Sequence, residues 1–217
     1  NAEELHVDSK LKKPHQIDND LIFNHGSLKS PKSIIFIIAD GAGIGQYTLS
    51  YYANQKFSFK QFQHIGLVAT HPDDGLEKVT DSAASGTALA TGKKTYNGAI
   101  SVDANGTPIE TVMEIAHQLN MVTGVVVTST VTHATPACFL AHIDYRRKEG
   151  EIARQMAKSD ADIIFGGGAS FWTENVISVR ACGWWLSLHL TTYFNSLVIF
   201  NAIGGGASTA LLLLLLV

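Results

Sequence analysis

Apolar positions along the chain fall into two kinds of pattern. Ser33-Ile-Ile-Phe-Ile-Ile-Ala39 is an unbroken β-branched and aromatic run, the pattern of a strand buried on both faces. Met121-Val-Thr-Gly-Val-Val-Val-Thr128 repeats it. His64-Ile-Gly-Leu-Val-Ala-Thr70 and Ala161-Asp-Ile-Ile-Phe165 predict two further strands, the last closed by Gly166-Gly-Gly168. Between these runs the period becomes helical. Helices are expected over Gln46 to Asn54, Thr107 to Leu119 and Glu149 to Lys158. The small-residue run Ser82 to Thr91, ended by Gly92, suits a tightly packed helix. Strands alternating with helices predict an α/β fold with a doubly wound, largely parallel central sheet and helices on both faces.

The same pattern sets the organisation. Residues 1–30 are polar with scattered Lys, Asp and His, as in an N-terminal arm. Residues 31–172 carry the α/β pattern. At about Thr173 the chain changes character, and from Ala181 to Val217 it holds no Asp, Glu, Lys or Arg. Trp184-Trp185, Gly204-Gly-Gly206 and the Leu211 to Leu216 homopolymer lie in this tail. Two accounts of 173–217 stay open: sequence that is out of frame or otherwise unrelated, and a hydrophobic anchor, since Asn195–Val217 is long enough to span a bilayer. The first residue is Asn with no leader pattern after it, which is expected of a processed or trimmed start and favours export.

Composition narrows the function classes. The 217 residues are 46% hydrophobic and 16% charged, ordinary for a globular domain. Sixteen Lys and Arg against nineteen Asp and Glu give a formal charge of −3, with no electrostatic ground for a nucleic-acid partner. The two cysteines, Cys138 and Cys182, form no CxxC or Cys/His cluster, and a bridge between them is not expected.

Three clusters bear chemistry. Asp40 follows a buried strand and precedes Gly41, where ligands bind in open α/β sheets and where a carboxylate serves a hard cation. It equally suits the cap of the next helix. Gly41-x-Gly43-x-Gly45 is not the GxGxxG of a dinucleotide loop. In Val79-Thr80-Asp81-Ser82-Ala83-Ala84-Ser85, Ser82 stands at a helix N-terminus whose free N–H groups favour an alkoxide and an incoming anion. A bare serine needs a base or metal, and with no His nearby in sequence a metal is the natural activator. Against this, Ser82 or Asp81 could simply be the N-cap. The third cluster is Thr132-His133-Ala134-Thr135-Pro136, a donor set for a hard metal or, alternatively, a capping Thr135 beside a structural His133. Ten residues on, Ala141-His-Ile-Asp-Tyr-Arg146 supplies a guanidinium suited to phosphate, although an isolated arginine is usually a surface residue.

Taken in order, Ile38-Ala-Asp40-Gly-Ala-Gly43, Thr80-Asp-Ser82-Ala-Ala-Ser85, Gly92-Lys-Lys-Thr-Tyr-Asn-Gly98 and Thr132-His-Ala-Thr-Pro136 with Ala141-His142 and Arg146 closely resemble the alkaline phosphatase family, over roughly Pro31 to Gly168. The resemblance implies that family's fold, N-terminal part only, and hydrolysis of phosphate monoesters through a phosphoserine. By that resemblance Asp40 looks like the carboxylate bridging the second zinc and the magnesium, and Thr135 like a magnesium ligand. Ser82 is similar to the serine that is transiently phosphorylated, Asp81 to the partner that orients the arginine, and Arg146 to the phosphate clamp, with Arg147 the next candidate. His133 stands where members carry Asp or His and is read as lining the metal site. Two zinc ions and one magnesium per intact subunit, phosphate monoesters and inorganic phosphate as ligands, a homodimer, and a periplasmic or secreted location are implied in the same way, with membrane contact through the tail left open.

The pattern departs from the family after Trp172. The remaining metal ligands of the family come from later Asp, His and Glu motifs, and here only Glu174 and His189 follow, with no Asp. The alternative function is therefore a truncated, non-catalytic fragment that keeps the fold without a complete metal site. A phosphate-dependent mutase of the same superfamily is a third reading, which the Thr-Asp-Ser-Ala-Ala element opposes.

Overall fold

A computed structural model describes residues 33–53, 59, 62, 66–75, 79–172, 196–200 and 210–216, the last two spans by their backbone. Strand β1 (Ser33–Ala39) leads into helix α1 (Ile44–Ala53). Helices α2 (Ser82–Thr91) and α3 (Val112–Gln118) precede strand β2 (Val122–Thr130). The short helix α4 (Ala134–Ala137), helix α5 (Glu149–Lys158) and strand β3 (Ile163–Gly167) follow, and strands β4 (Ser196–Phe200) and β5 (Ala210–Leu216) complete the set. The sheet order is β1-β5-β2-β3-β4. The first three pairings are parallel and β4 runs antiparallel at the edge. The fold class is thus the α/β, largely parallel one that the strand–helix alternation predicts.

Most elements fall where the period of the chain puts them. The small-residue helix α2 ends at Gly92, which takes φ 72° and donates its N–H to Ala88. That left-handed turn is the reason glycine stands there. Helix α3 is shorter than the periodic stretch from Thr107. Pro108 pairs with Val102 in an isolated bridge, and a capping box at Thr111 and Glu114 sets the start of the helix. Helix α5 matches its expected bounds and buries Ile152, Ala153, Met156 and Ala157. These pack with Val125 and Val127 of β2, Ile164 of β3, Phe139 and Ile100 into one core.

Two expectations are corrected. The strand β1, expected to be buried on both faces, is exposed along most of its length: Ile35 is 63% and Ile37 58% accessible. A parallel strand is buried by the crossover helices laid over it, and among the described residues α1 has no buried side chain. Ile38, near the end of β1, packs against the core, and the Phe36 ring lies 6.2 Å from that of Phe139. Of the expected strand His64–Thr70, residues 66–70 are described; they form no strand and are exposed. Alternating apolar residues provide a face, but a strand also needs a neighbour's backbone ladder, and none among the described residues pairs with them. The slot beside β1 is filled by β5, in register from Ser33↔Ala210 to Ala39↔Leu216. Residues 1–32, which include the expected N-terminal arm, lie outside the described residues, as do 173–195 and 201–209 of the tail. No helix among the described residues is long and apolar enough to cross a membrane.

Candidate active site

The carboxyl ends of β1 and β2 and the N-terminus of α2 meet on one side of the sheet. Asp40 follows β1 directly, and Gly41, at φ 75°, turns the chain away. Beyond β2, residues 131–133 turn the chain into α4, which carries Thr135. The Thr135 hydroxyl donates to Asp40 Oδ2 at 2.7 Å, joining two positions 95 residues apart. Asp40 is therefore bonded to Thr135, and Thr135 lies inside α4 and does not cap it, since the cap position is His133, whose side chain makes no cap bond.

Asp81 resolves the choice between cap and partner by doing both. Its Oδ1 accepts from the N–H groups of Ala83, at 3.1 Å, and Ala84, at 2.9 Å, which makes it the N-cap of α2. Its Oδ2 accepts from Arg146 NH1 at 3.0 Å. Ser82 is the first residue of α2, half-buried, and its hydroxyl makes no hydrogen bond among the described residues. Arg146 NH2 lies 3.1 Å from His133 Nε2. A guanidinium only donates, so Nε2 is the acceptor and the neutral ring carries its proton on Nδ1, which is buried and has no partner among the described residues. Burial first, and then the Arg146 charge, hold the His133 pKa below its usual value, against the opposing pull of Asp40 and Glu149.

The structure thus joins Asp81, Arg146 and His133 in one bonded chain and Asp40 with Thr135 in another. The first three line an open cleft of about 530 Å³, together with Asn97, Glu149 and Arg147. Arg147 is exposed and makes no ion pair among the described residues. Two residues of this neighbourhood escape a reading of local pattern. Glu149 accepts from the buried Thr132 hydroxyl at 2.6 Å, and Asn97 bonds the backbone on either side of Thr80. Only its place in the Gly92–Gly98 string marks Asn97 out.

Donor chemistry separates the metals. Asp40 and Thr135 offer two oxygens side by side, which fits a hard magnesium ion that keeps several waters. Zinc needs three or four nitrogen, sulfur or carboxylate ligands. Among the described residues no three of His, Cys, Asp and Glu come together in this way, so they alone supply no zinc set.

Residues 31–186 match the sequence model of the alkaline phosphatase family. Alkaline phosphatase 4 of Bacillus subtilis (strain 168) is 40% identical over 158 residues, which are 66% of this chain and 34% of that protein. The repressible alkaline phosphatase of Saccharomyces cerevisiae is 39% identical over 152 residues, 64% of this chain and 26% of that protein. Among solved structures, alkaline phosphatase from the Antarctic bacterium TAB5 superposes with a TM-score of 0.74 at 30% identity, covering 88% of this chain and 66% of that one. The chain spans about a third of the length of the curated relatives it matches.

Proposed function

The chain belongs to the alkaline phosphatase family, and from that premise we propose that Ser82, Asp81 and Arg146 are its share of a site that hydrolyses phosphate monoesters through a phosphoserine. The observation that carries this reading is the divided carboxylate of Asp81. One oxygen fixes the start of α2, and with it Ser82; the other holds Arg146. A phosphoryl group at Ser82 would meet the helix N-terminus on one side and a guanidinium on the other. Both favour negative charge, and a fixed, planar guanidinium pairs two phosphate oxygens at once. Bound at Asp40 and Thr135, magnesium would supply a further positive charge close to these groups. Phosphate monoesters and inorganic phosphate are the ligands we assign, and an extracytoplasmic homodimer is the form we assign to the intact protein.

Mass spectrometry of the acid-quenched intact parent protein, incubated with a phosphate monoester, tests the nucleophile. Phosphate is expected on Ser82 and absent from Ser82→Ala. Phosphorylation of the variant at the wild-type level would remove Ser82 from the role.

A second reading has its own observation. No zinc ligand set forms among the described residues, which favours a chain that keeps the family fold and phosphate contacts without turnover. Zinc analysis beside a phosphate-ester assay separates the two.

A further inference from the structure

We propose that Asn97 is a positioning residue that sets Ser82 and Arg146 at a fixed spacing; the inference rests on the phosphatase reading of the site. The side-chain amide of Asn97 bonds the segment entering α2 at two points. Its Oδ1 accepts the Asp81 N–H at 2.9 Å, and its Nδ2 donates to the Val79 carbonyl at 2.9 Å. These bonds bracket Thr80, so they hold the backbone immediately before Ser82. The neighbours of Asn97 hold the other half of the site. Tyr96 Oη donates to the Asp144 carbonyl at 2.9 Å, and the Gly98 carbonyl accepts the Arg146 N–H at 2.8 Å. Ile100 and Ile143 then exchange both backbone bonds at 2.8 Å each.

Three consecutive residues therefore grip both segments that carry the chemistry. The approach is close enough to require glycine: Gly98 has φ 93°, and a Cβ there would stand 2.9 Å from Tyr145 Cδ2. The ion pair between Asp81 and Arg146 cannot replace this grip, because it joins two side-chain tips and tolerates movement of the backbones behind them. An asparagine suits the position because one amide group supplies both a donor and an acceptor. Aspartate would keep the acceptor and lose the donor; alanine would lose both.

The test uses the 217-residue chain with inorganic phosphate as the probe. Asn97→Ala is expected to weaken phosphate binding about tenfold, since small displacements in such sites are costly. Hydrogen exchange at the Asp81 amide should accelerate in this variant while exchange in α5 stays at the wild-type rate. Asn97→Asp should keep slow exchange at Asp81 and lose part of the affinity, which leaves the idea testable where Asn97→Ala does not fold. Arg146→Ala is the companion measurement. If it leaves phosphate binding unchanged, or if the wild-type chain binds no phosphate, the phosphatase reading fails and takes this inference with it. If Arg146→Ala weakens binding while Asn97→Ala leaves it within about twofold, only the assignment of Asn97 is overturned. Faster exchange throughout the chain in Asn97→Ala, α5 included, would also overturn it, by marking a general stabilising role.

Discussion

Arg146 and Arg147 are adjacent in the chain and unlike in the fold. Arg146 is held by Asp81 Oδ2 and faces His133, so its guanidinium is oriented before any anion arrives. Arg147 is exposed at the rim of the same cleft. Arg146→Ala is therefore expected to weaken inorganic phosphate binding by about tenfold or more, the size of one charge-assisted pair, while Arg147→Ala changes it by about twofold or less. Titration calorimetry of the two variants decides it, and the reverse ranking would move the phosphate clamp by one residue. Cys138 illustrates how burial silences a reactive group. Fully buried beneath α2, with its Sγ 3.3 Å from the Ala83 carbonyl, it is a free thiol whose pKa burial pushes up to about 12, and a thiol of that kind is inert. At this scale the sequence is readable where a residue's chemistry depends on its immediate neighbours. Asp81 and Ser82 before a small-residue helix are of that kind. The roles of Asn97 and Glu149 depend on partners 16 to 18 and 17 residues away, and nothing local announces them.

Helix α3 is anchored at its start by a group that also reaches across the fold. Thr111 and Glu114 form a reciprocal capping box. The second oxygen of Glu114 lies 3.0 Å from His142 Nε2, and His142 Nδ1 lies 2.8 Å from the Ser101 carbonyl. Both ring nitrogens thus face oxygen acceptors, one on the Ser101 backbone and one on Glu114. Burial opposes ionisation of Glu114, but the His142 ring and the Thr111 N–H outweigh it and hold its carboxyl below the usual range. A depressed folded-state pKa adds stability that is present above the unfolded value, near 4.5, and is lost as pH falls through the folded one. Glu114→Gln keeps the cap and removes the charge. With the carboxylate 45% exposed, the loss is expected to be about 0.5 kcal/mol at about pH 6. Denaturant melts should show that gap closing as pH falls below the unfolded value and through the folded one, and a gap that widens in acid would refute the pairing. Elements with their own stop signals were legible in the sequence, as α2 and α5 show. By contrast, β1 and residues 66–70 display apolar runs that state a need for cover without stating what supplies it, and here neither is covered.

For the whole molecule, the decisive quantity is the number of metal ligands that one chain can bring together. Asp40 and Thr135 meet, and the Asp81–Arg146–His133 chain lines the cleft. Past Trp172 the sequence adds Glu174 and His189 and no Asp. Each zinc of a catalytic site needs about three protein ligands and an open position, and no such trio assembles among the described residues. Without such a trio, Ser82 as nucleophile would lack a zinc to lower its pKa, and a leaving alkoxide would lack its Lewis acid. Removing one electrostatic stabiliser costs about a hundred- to a thousand-fold in turnover, and losing several together would cost more. The exposed apolar length of β1 adds to this, because a site at the end of an uncovered strand lacks the packed surroundings that hold ligands still. We therefore expect the purified 217-residue chain to retain less than one zinc per molecule after gel filtration in micromolar zinc, measured by plasma mass spectrometry. We also expect no hydrolysis of p-nitrophenyl phosphate above the uncatalysed rate by more than a small fraction of what a full-length relative achieves. Retention of two zinc ions with robust hydrolysis would overturn this expectation, and would require further ligands from a second chain or from residues outside the described ones.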